Sequence, residues 1–342
     1  MLKVLDSIKD YSEWFEVVNS IQCSDKNIFL YPDYVNGHLD YKNSEAKLLT
    51  YINNHDYFLY PFLLNKIEKI SELKNDSFYD ITNPYGYSGA ITNLKSIKLN
   101  SEIFAFHSKF VKKNNVIAEF ISLFPLIKEA AIPFKHRKKY AKKTCSINLS
   151  IQNNSLLKSK HKNMINKALK NGLKPEISEN PDDLFLFYKI YISFLKKINS
   201  HKKHFLNNNF AKNYTSIIKS KRGFFIKVSN KHSEVISIGL FLISQKNIVY
   251  HLSASSDRQN NPGSVNLMLK QALDYGKQFG FSTIFLGGGS TFDNKDNLFS
   301  FKSRVADKFH DLNIIEKIHN KKIYSFLEKK YCKKNIKSNN QL

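Results

Sequence analysis

The sequence predicts an α/β protein, with mixed β-sheets flanked by helices and two halves of similar build. Three observations carry this expectation. The second half reads helix, helix, three strands, helix, strand, an order that builds a mixed sheet covered by helices. The first half has the same broad logic, with helix, hairpin, strand, helix and apolar strand, although no repeat of fixed period is present. The length of 342 residues exceeds one average domain and suits two of about 150–200 residues. The expected division is 1–150 and 151–328, followed by a basic flexible tail over 329–342.

The elements follow from spacing. Residues 11–21 place Trp14, Phe15, Val17, Val18 and Ile21 on one helical face. A loop is expected around Tyr31, Pro32 and Asp33. Two β-type runs, 46–52 and 57–64, flank an Asn/Asp-rich turn and read as a hairpin. A short strand at 78–82, an amphipathic helix at 101–113 and an apolar run at 116–124 complete the first half, the last reading as a strand buried on both faces. Residues 135–143 form a basic bridge, 144–151 alternate as a strand, and 155–171 make a helix ending at Gly172. Helices at 182–198 and 210–219 precede strands at 223–228, 235–244 and 248–254. A helix at 264–279 and a short strand at 283–286 close the pattern.

Composition bounds the function. Hydrophobic residues make up 42% and aromatics 13%, enough for a packed core and against wholesale disorder. The formal charge is +24, and of 53 basic residues only Arg137, Arg222, Arg258 and Arg304 are arginine. Such a field attracts nucleotides, coenzyme A, tRNA and anionic lipid. The abundance of Lys, Asn, Ile and Phe fits compositional drift in an AT-rich genome equally well. The three cysteines, Cys23, Cys145 and Cys332, give neither a disulfide framework nor a zinc pattern and read as reduced thiols. Residues 1–14 lack the apolar core of a signal peptide, and charges and Pro125 interrupt the most apolar stretch, 116–134. A cytoplasmic protein is expected, with at most peripheral contact with an anionic membrane. His201 and His204 lie three apart but are flanked by lysines, so no metal is expected.

Three segments carry candidate chemistry. A strand ending near Ala254 is followed by Asn260-Asn261-Pro262-Gly263-Ser264-Val265 and a helix. Free N–H groups at such a helix start can cradle a pyrophosphate, and the same pattern also describes an ordinary helix start. Gly287-Gly288-Gly289 directly follows an apolar strand, and Leu298 to Arg304 then sets Lys302 and Arg304 among aromatic anchors. A held cation beside bare backbone can stabilise an oxyanion or a phosphate; a flexible loop and a basic surface helix would read alike. In Pro84-Tyr85-Gly86-Tyr87-Ser88-Gly89, two tyrosines can stack on a sugar or base or lie on a turn surface. His251, at a strand end, and Asp293 and Asp296, after the glycines, are candidate general bases.

The Pro-Tyr-Gly-Tyr-Ser-Gly run, the Leu-Gly-Gly-Gly run, Asp296-Asn297-Leu298-Phe299 and Phe301-Lys302 resemble the FemAB-like branch of the acetyltransferase (GNAT) superfamily. That branch holds peptidoglycan aminoacyl transferases and acetyltransferase-like proteins of polysaccharide gene clusters. In element order the resemblance spans roughly residues 10–325. It implies tandem GNAT-like domains facing one another across a cleft, with Lys302 near the reacting acyl group. It also implies an acyltransferase that carries an acyl group, acetyl from acetyl-CoA, to the amine of a nucleotide- or lipid-linked amino sugar in surface polysaccharide synthesis. The alternative donor is aminoacyl-tRNA. No coiled-coil insertion of the kind some peptidoglycan members use for tRNA is present; one helix around 155–173 stands in that place. On this reading Lys302, His251 and Asp296 are catalytic. Asn260, Asn261, Gly263, Ser264, Gly287, Gly288 and Gly289 hold the donor, and Tyr85, Tyr87 and Arg304 hold the acceptor. A reading of another class, a non-catalytic nucleic-acid-binding protein, rests on the charge and on the basic runs 135–143 and 158–162, without a helix-turn-helix, zinc finger or ribonucleoprotein signature.

Overall fold

A computed structural model describes residues 1–24, 26–40, 42–67, 77–127, 136–150, 159–198, 208–256, 260–291 and 296–339. In chain order the elements begin with β1 (Leu2–Asp6), α1 (Tyr11–Ser20), a 3-10 turn (Ile28–Leu30), α2 (Pro32–Gly37), β2 (Ser44–Asn53) and β3 (Asp56–Lys66). Next come β4 (Tyr79–Thr82), β5 (Ile91–Thr92), α3 (Ile97–Lys113), β6 (Val116–Ser122), β7 (Arg137–Asn148), α4 (Ser159–Lys170) and β8 (Lys174–Ser178). The remainder is α5 (Asp183–Lys197), α6 (Asn208–Lys219), β9 (Gly223–Ser229), β10 (Val235–Ser244), β11 (Asn247–Ser255), α7 (Ser264–Gln278), β12 (Thr283–Gly288), α8 (Asn297–Ser303), β13 (Lys308–Ile318) and α9 (Lys321–Asn339). This is an α/β protein with mixed pairing, as the sequence predicts.

The chain divides into two compact units, but not at residue 150. One unit comprises residues 1–21, 39–140 and 313–342, and the other 22–38 and 141–312. The segment expected to be a loop at Tyr31 to Asp33 leads into α2 and belongs to the second unit, where Arg222 Nη2 donates to Asp33 Oδ2 at 2.6 Å. The final residues, expected as a flexible tail, continue α9 to Asn339 and belong to the first unit. Packing of α2 on α6 places 22–38 in the second unit, pairing of β13 with β6 places the chain from Asn313 in the first, and no composition shift marks either.

In the first unit, β2 and β3 form the expected hairpin, closed by Asn54-His55 with Asn54 at φ +52°, a left-handed conformation that asparagine tolerates. The ladder runs β1-β2-β3-β4-β6 and on to the residues of β13 from Ile314. Its core gathers Phe58, Tyr60, Phe62, Ile81, Ile103 and Ile121. The run at 116–122 departs from expectation: Phe120 is 43% exposed, while Glu119 is buried. Glu119 stays inside because imidazoles meet it. His107 Nε2 lies 2.6 Å and His319 Nε2 3.3 Å from Oε1, and His136 Nε2 contacts Oε2.

In the second unit the order is β7-β12-β11-β10-β9-β8. β7 is longer than the predicted strand and begins inside the basic run, with residues 137–140 exposed. The core packs α4 and α7 against β9 to β12 through Ile165, Ala168, Phe224, Ile226, Met268 and Leu286. On other residues of the same strands, Phe187 of α5 and Phe210 and Tyr214 of α6 are fully buried.

Candidate active site

The second unit contains a fork. β11 and β12 pair in parallel at Asn247–Thr283, Ile248–Ile284 and Val249–Phe285, and there the ladder stops. β11 continues to Ser255 and β12 to Gly288 without pairing to each other. Register irregularities mark the parting on both prongs. His251 is the extra residue where β11 opposes Leu240 and Phe241, and Leu286 is the extra residue where β12 opposes Ser146 and Cys145. Bulges of this kind re-aim side chains and end pairing, and they cluster beside active sites.

Lys302 reaches both prongs. α8 carries it, and Phe299 and Phe301, packed on the core, fix that helix. Lys302 Nζ donates to the Gly288 carbonyl at 3.0 Å and stands 5.7 Å from the centroid of the Tyr250 ring, within reach of cation–π attraction. The residue is 9% exposed. Burial lowers its ammonium to about 8, with Lys142 pushing in the same direction and Cys145 and Asp296 opposing. Lysines are rarely buried unless paired, so this amine is held close to its own titration point near neutral pH. Cys145 donates to the Gly287 carbonyl at 3.6 Å, and burial pushes its thiol up to about 11. It is therefore a protonated thiol at neutral pH and a poor nucleophile.

Asp296 has a local task. Its Oδ1 caps α8 by accepting from Phe299 N at 2.9 Å, and its Oδ2 accepts from Ser290 Oγ at 2.7 Å and Thr291 N at 2.8 Å. Burial would raise this carboxyl, but these bonds outweigh it and hold the group well below the usual carboxylate range. A carboxylate so occupied is a weak proton acceptor and a strong helix cap. It also explains Gly289: a Cβ there would lie 2.4 Å from Asp296 Cγ.

At the start of α7, Gly263 adopts φ +87° as the cap residue. A Cβ on Gly263 would lie 2.2 Å from the backbone oxygen of Met164. The glycine is needed on two counts, left-handed geometry and the close approach of α4. Ser264 is buried, with its hydroxyl 2.8 Å from Ser237 Oγ, and Asn266 meets His161 Nδ1 at 2.5 Å. Asn261 accepts from Ser264 N at 3.4 Å, and Asn260 lies in the turn before it.

No protein-family profile matches this sequence, and no curated protein matches it. Solved structures do. FemX superposes with a TM-score of 0.67 at 12% identity, covering 95% of this chain and 100% of FemX. The C-terminal domain of an Agrobacterium fabrum protein assigned as a lysylphosphatidylglycerol synthetase gives 0.58 at 10%, covering 94% of this chain and 95% of that domain. L-PGS from Bacillus licheniformis gives 0.54 at 12%, covering 80% and 84%. The chain shares the FemAB-like fold of FemX.

Within this FemAB-like fold the sequence-predicted residues fall into separate groups. Lys302, Gly287, Gly288, Gly289 and Asp296 come together at the fork. Asn260, Asn261, Gly263 and Ser264 lie together at the first turn of α7. His251 is half-buried and sits in a chain of its own: His38 Nε2 lies 2.8 Å from the Tyr214 hydroxyl, which lies 2.7 Å from His251 Nε2. Burial lowers His251 well below the ordinary imidazole range and His38 to about 3, so both rings are neutral. Arg304 is exposed and donates to Ser300 Oγ at 3.2 Å. Tyr85 and Tyr87 belong to the first unit; Tyr85 is 41% exposed and Tyr87 packs on Phe124. Asp293, His201 and His204 lie outside the described residues. Sequence reasoning missed Lys142, concealed in the basic run. It donates to the carbonyls of Gly289 at 2.7 Å and Thr291 at 3.3 Å.

Proposed function

We propose that the chain transfers an acyl group from an activated carboxyl donor to an amine, with the step carried at the fork between β11 and β12. The observation behind this reading is Lys302, a buried cation bonded to one prong and within cation–π reach of the other, in a strand pair that parts beyond Val249 and Phe285. The amine nitrogen attacks the donor carbonyl carbon, a C–N bond forms, and the carbonyl oxygen becomes an oxyanion. Lys302 has N–H donors beyond the one given to Gly288 and can receive that charge. The intermediate collapses with loss of the ester or thioester leaving group. The amine's proton passes to a base or to solvent, and the leaving group is protonated. A single donor of this kind supplies about 3–4 kcal/mol of transition-state stabilisation.

Of the two donors, an aminoacyl ester of tRNA is the better supported. The Met164 carbonyl and helix α4 stand against the first turn of α7, an electronegative wall beside N–H groups that a pyrophosphate would seek. The net charge of +24 also suits a polyanion. The second reading is acetyl transfer from acetyl-CoA to an activated amino sugar. It draws on the left-handed Gly263 that caps α7, the element following β11. For either donor, Arg304 is a proposed contact for acceptor charge.

Thermal stabilisation at fixed salt separates the donors. A ligand at 100 times its Kd stabilises by about 2.7 kcal/mol. A shift with aminoacylated tRNA and none with acetyl-CoA supports the first reading, and the converse moves the assignment to acetyl transfer. Silence with both removes the transferase reading.

A further inference from the structure

Two lysine side chains grip consecutive carbonyls of the glycine run. Lys302 Nζ donates to Gly288 O at 3.0 Å, and Lys142 Nζ donates to Gly289 O at 2.7 Å and to Thr291 O at 3.3 Å. They arrive from different elements, Lys302 from α8 and Lys142 from β7. The stem of Lys142 passes the bare Cα of Gly288: a Cβ there would lie 3.3 Å from Lys142 Cε. The carboxylate nearest the pair, Asp296, gives its oxygens to Ser290, Thr291 and Phe299.

We propose that Lys142 is a positioning residue of the acyl-transfer site, clamping the turn from Gly289 to Thr291 and setting a second positive charge beside Lys302. The inference rests on the acyl-transfer reading for its purpose, but the pairing itself is independent of it. Two ammonium groups on neighbouring carbonyls repel, and burial magnifies the repulsion. Each therefore favours the neutral form of the other. The groups facing Lys302 are Lys142 and the Cys145 thiol from β7, Asp296 before α8, and the Tyr250 ring from β11. Burial lowers Lys142 below the ordinary lysine value, with Asp296 opposing. Lys302 is placed near 8 by its burial, to which Lys142 adds. A neutral fraction of Lys302 at working pH lets one group accept the amine's proton in one state and donate to the oxyanion in the other.

The test follows the side-chain carbon signals of lysine-labelled protein against pH, with the Lys302 signal identified by its loss in Lys302→Arg. Wild type should titrate near 8. In Lys142→Met, which keeps the stem and removes the charge, the Lys302 midpoint should rise by on the order of one pH unit. Lys142→Arg, which keeps the charge, should leave it near the wild-type value. The pH–rate profile of acyl transfer should move with the midpoint in Lys142→Met and stay in Lys142→Arg. An unmoved midpoint in Lys142→Met, or equal shifts in both variants, overturns the proposal. A midpoint that moves as expected without acyl transfer by the wild type keeps the charge pairing and removes the transferase reading. Lys142→Gln repeats the comparison should Lys142→Met fail to fold.

Discussion

Lys302 and Glu119 are two buried charges stabilised in different ways, and each makes a prediction at the scale of a single residue. Lys302 is kept inside by a carbonyl and an aromatic face, partners that leave N–H donors for substrate. Lys302→Ala should reduce the rate of acyl transfer by about 10²–10³-fold with little change in the far-ultraviolet circular dichroism. Glu119 is enclosed by His107, His136 and His319. Burial opposes its charge, but the three imidazole contacts outweigh this and hold it well below the usual carboxylate range. Burial also lowers His107, against the pull of Glu119. A carboxyl depressed in the fold contributes stability above its unfolded value that is lost as pH falls through the folded one. An imidazole depressed in the fold favours the native state at neutral pH and resists folding once the unfolded chain takes up protons. The imidazole therefore weakens the first unit as pH falls below about 6.5, and the carboxyl adds to this only below about 4.5. Glu119→Ala should cost about 3–5 kcal/mol near pH 7, and denaturant melts should show a flatter dependence on pH than wild type below about pH 4.5, where the carboxyl titrates. Equal slopes in wild type and variant would remove Glu119 from the account. Lys302 was legible in the sequence because aromatic residues flank it in an otherwise polar stretch. The Glu119 cluster was not, because its members lie at 107, 119, 136 and 319 and only strand pairing unites them.

At the scale of elements, α7 and its neighbours decide which donor the site accepts. The helix itself was legible from its apolar spacing, and so was the special status of Gly263 at its start. The sequence assigned that glycine to a pyrophosphate cradle, whereas in the structure the bare Cα also admits the Met164 carbonyl of α4. Gly263→Ala should destabilise the second unit by at least about 2 kcal/mol, from left-handed backbone and a clash with main chain together. Its urea midpoint should fall, with or without donor present. A variant that folds normally but loses donor binding would point to a cradle role instead. α8 shows a different limit of sequence reading. Asp296 was noticed as a carboxylate beside the glycines, but its service as the cap of a seven-residue helix depends on Ser290, Thr291 and Phe299 converging in space. β13 was missed because its apolar residues are interleaved with charged and polar ones, β8 because Pro175 and a single aliphatic residue, Ile177, leave no alternation, and the pairing partners of both lie far away in the chain.

At the scale of the whole molecule, order of elements carried the α/β class and composition carried the charge, but the path of the chain between units was hidden. The segment 22–38 joins the second unit and residues 313–342 join the first, an arrangement set by long-range helix packing and strand pairing and invisible to local spacing. The net charge of +24 makes a measurable claim. If tRNA is the donor, the logarithm of its affinity should fall linearly with log salt while Lys302→Ala leaves the affinity nearly unchanged. That separates electrostatic docking of the nucleic acid from chemistry at the fork.

Acyl transfer itself tests the central claim most directly. Purified wild type and Lys302→Ala would be offered radiolabelled aminoacyl-tRNA or acetyl-CoA with an amino-sugar acceptor, and the amide product counted. The account predicts amide formation with one of these donors and a loss of about 10²–10³-fold in Lys302→Ala. Equal product from both proteins, or none from wild type with either donor, would contradict it.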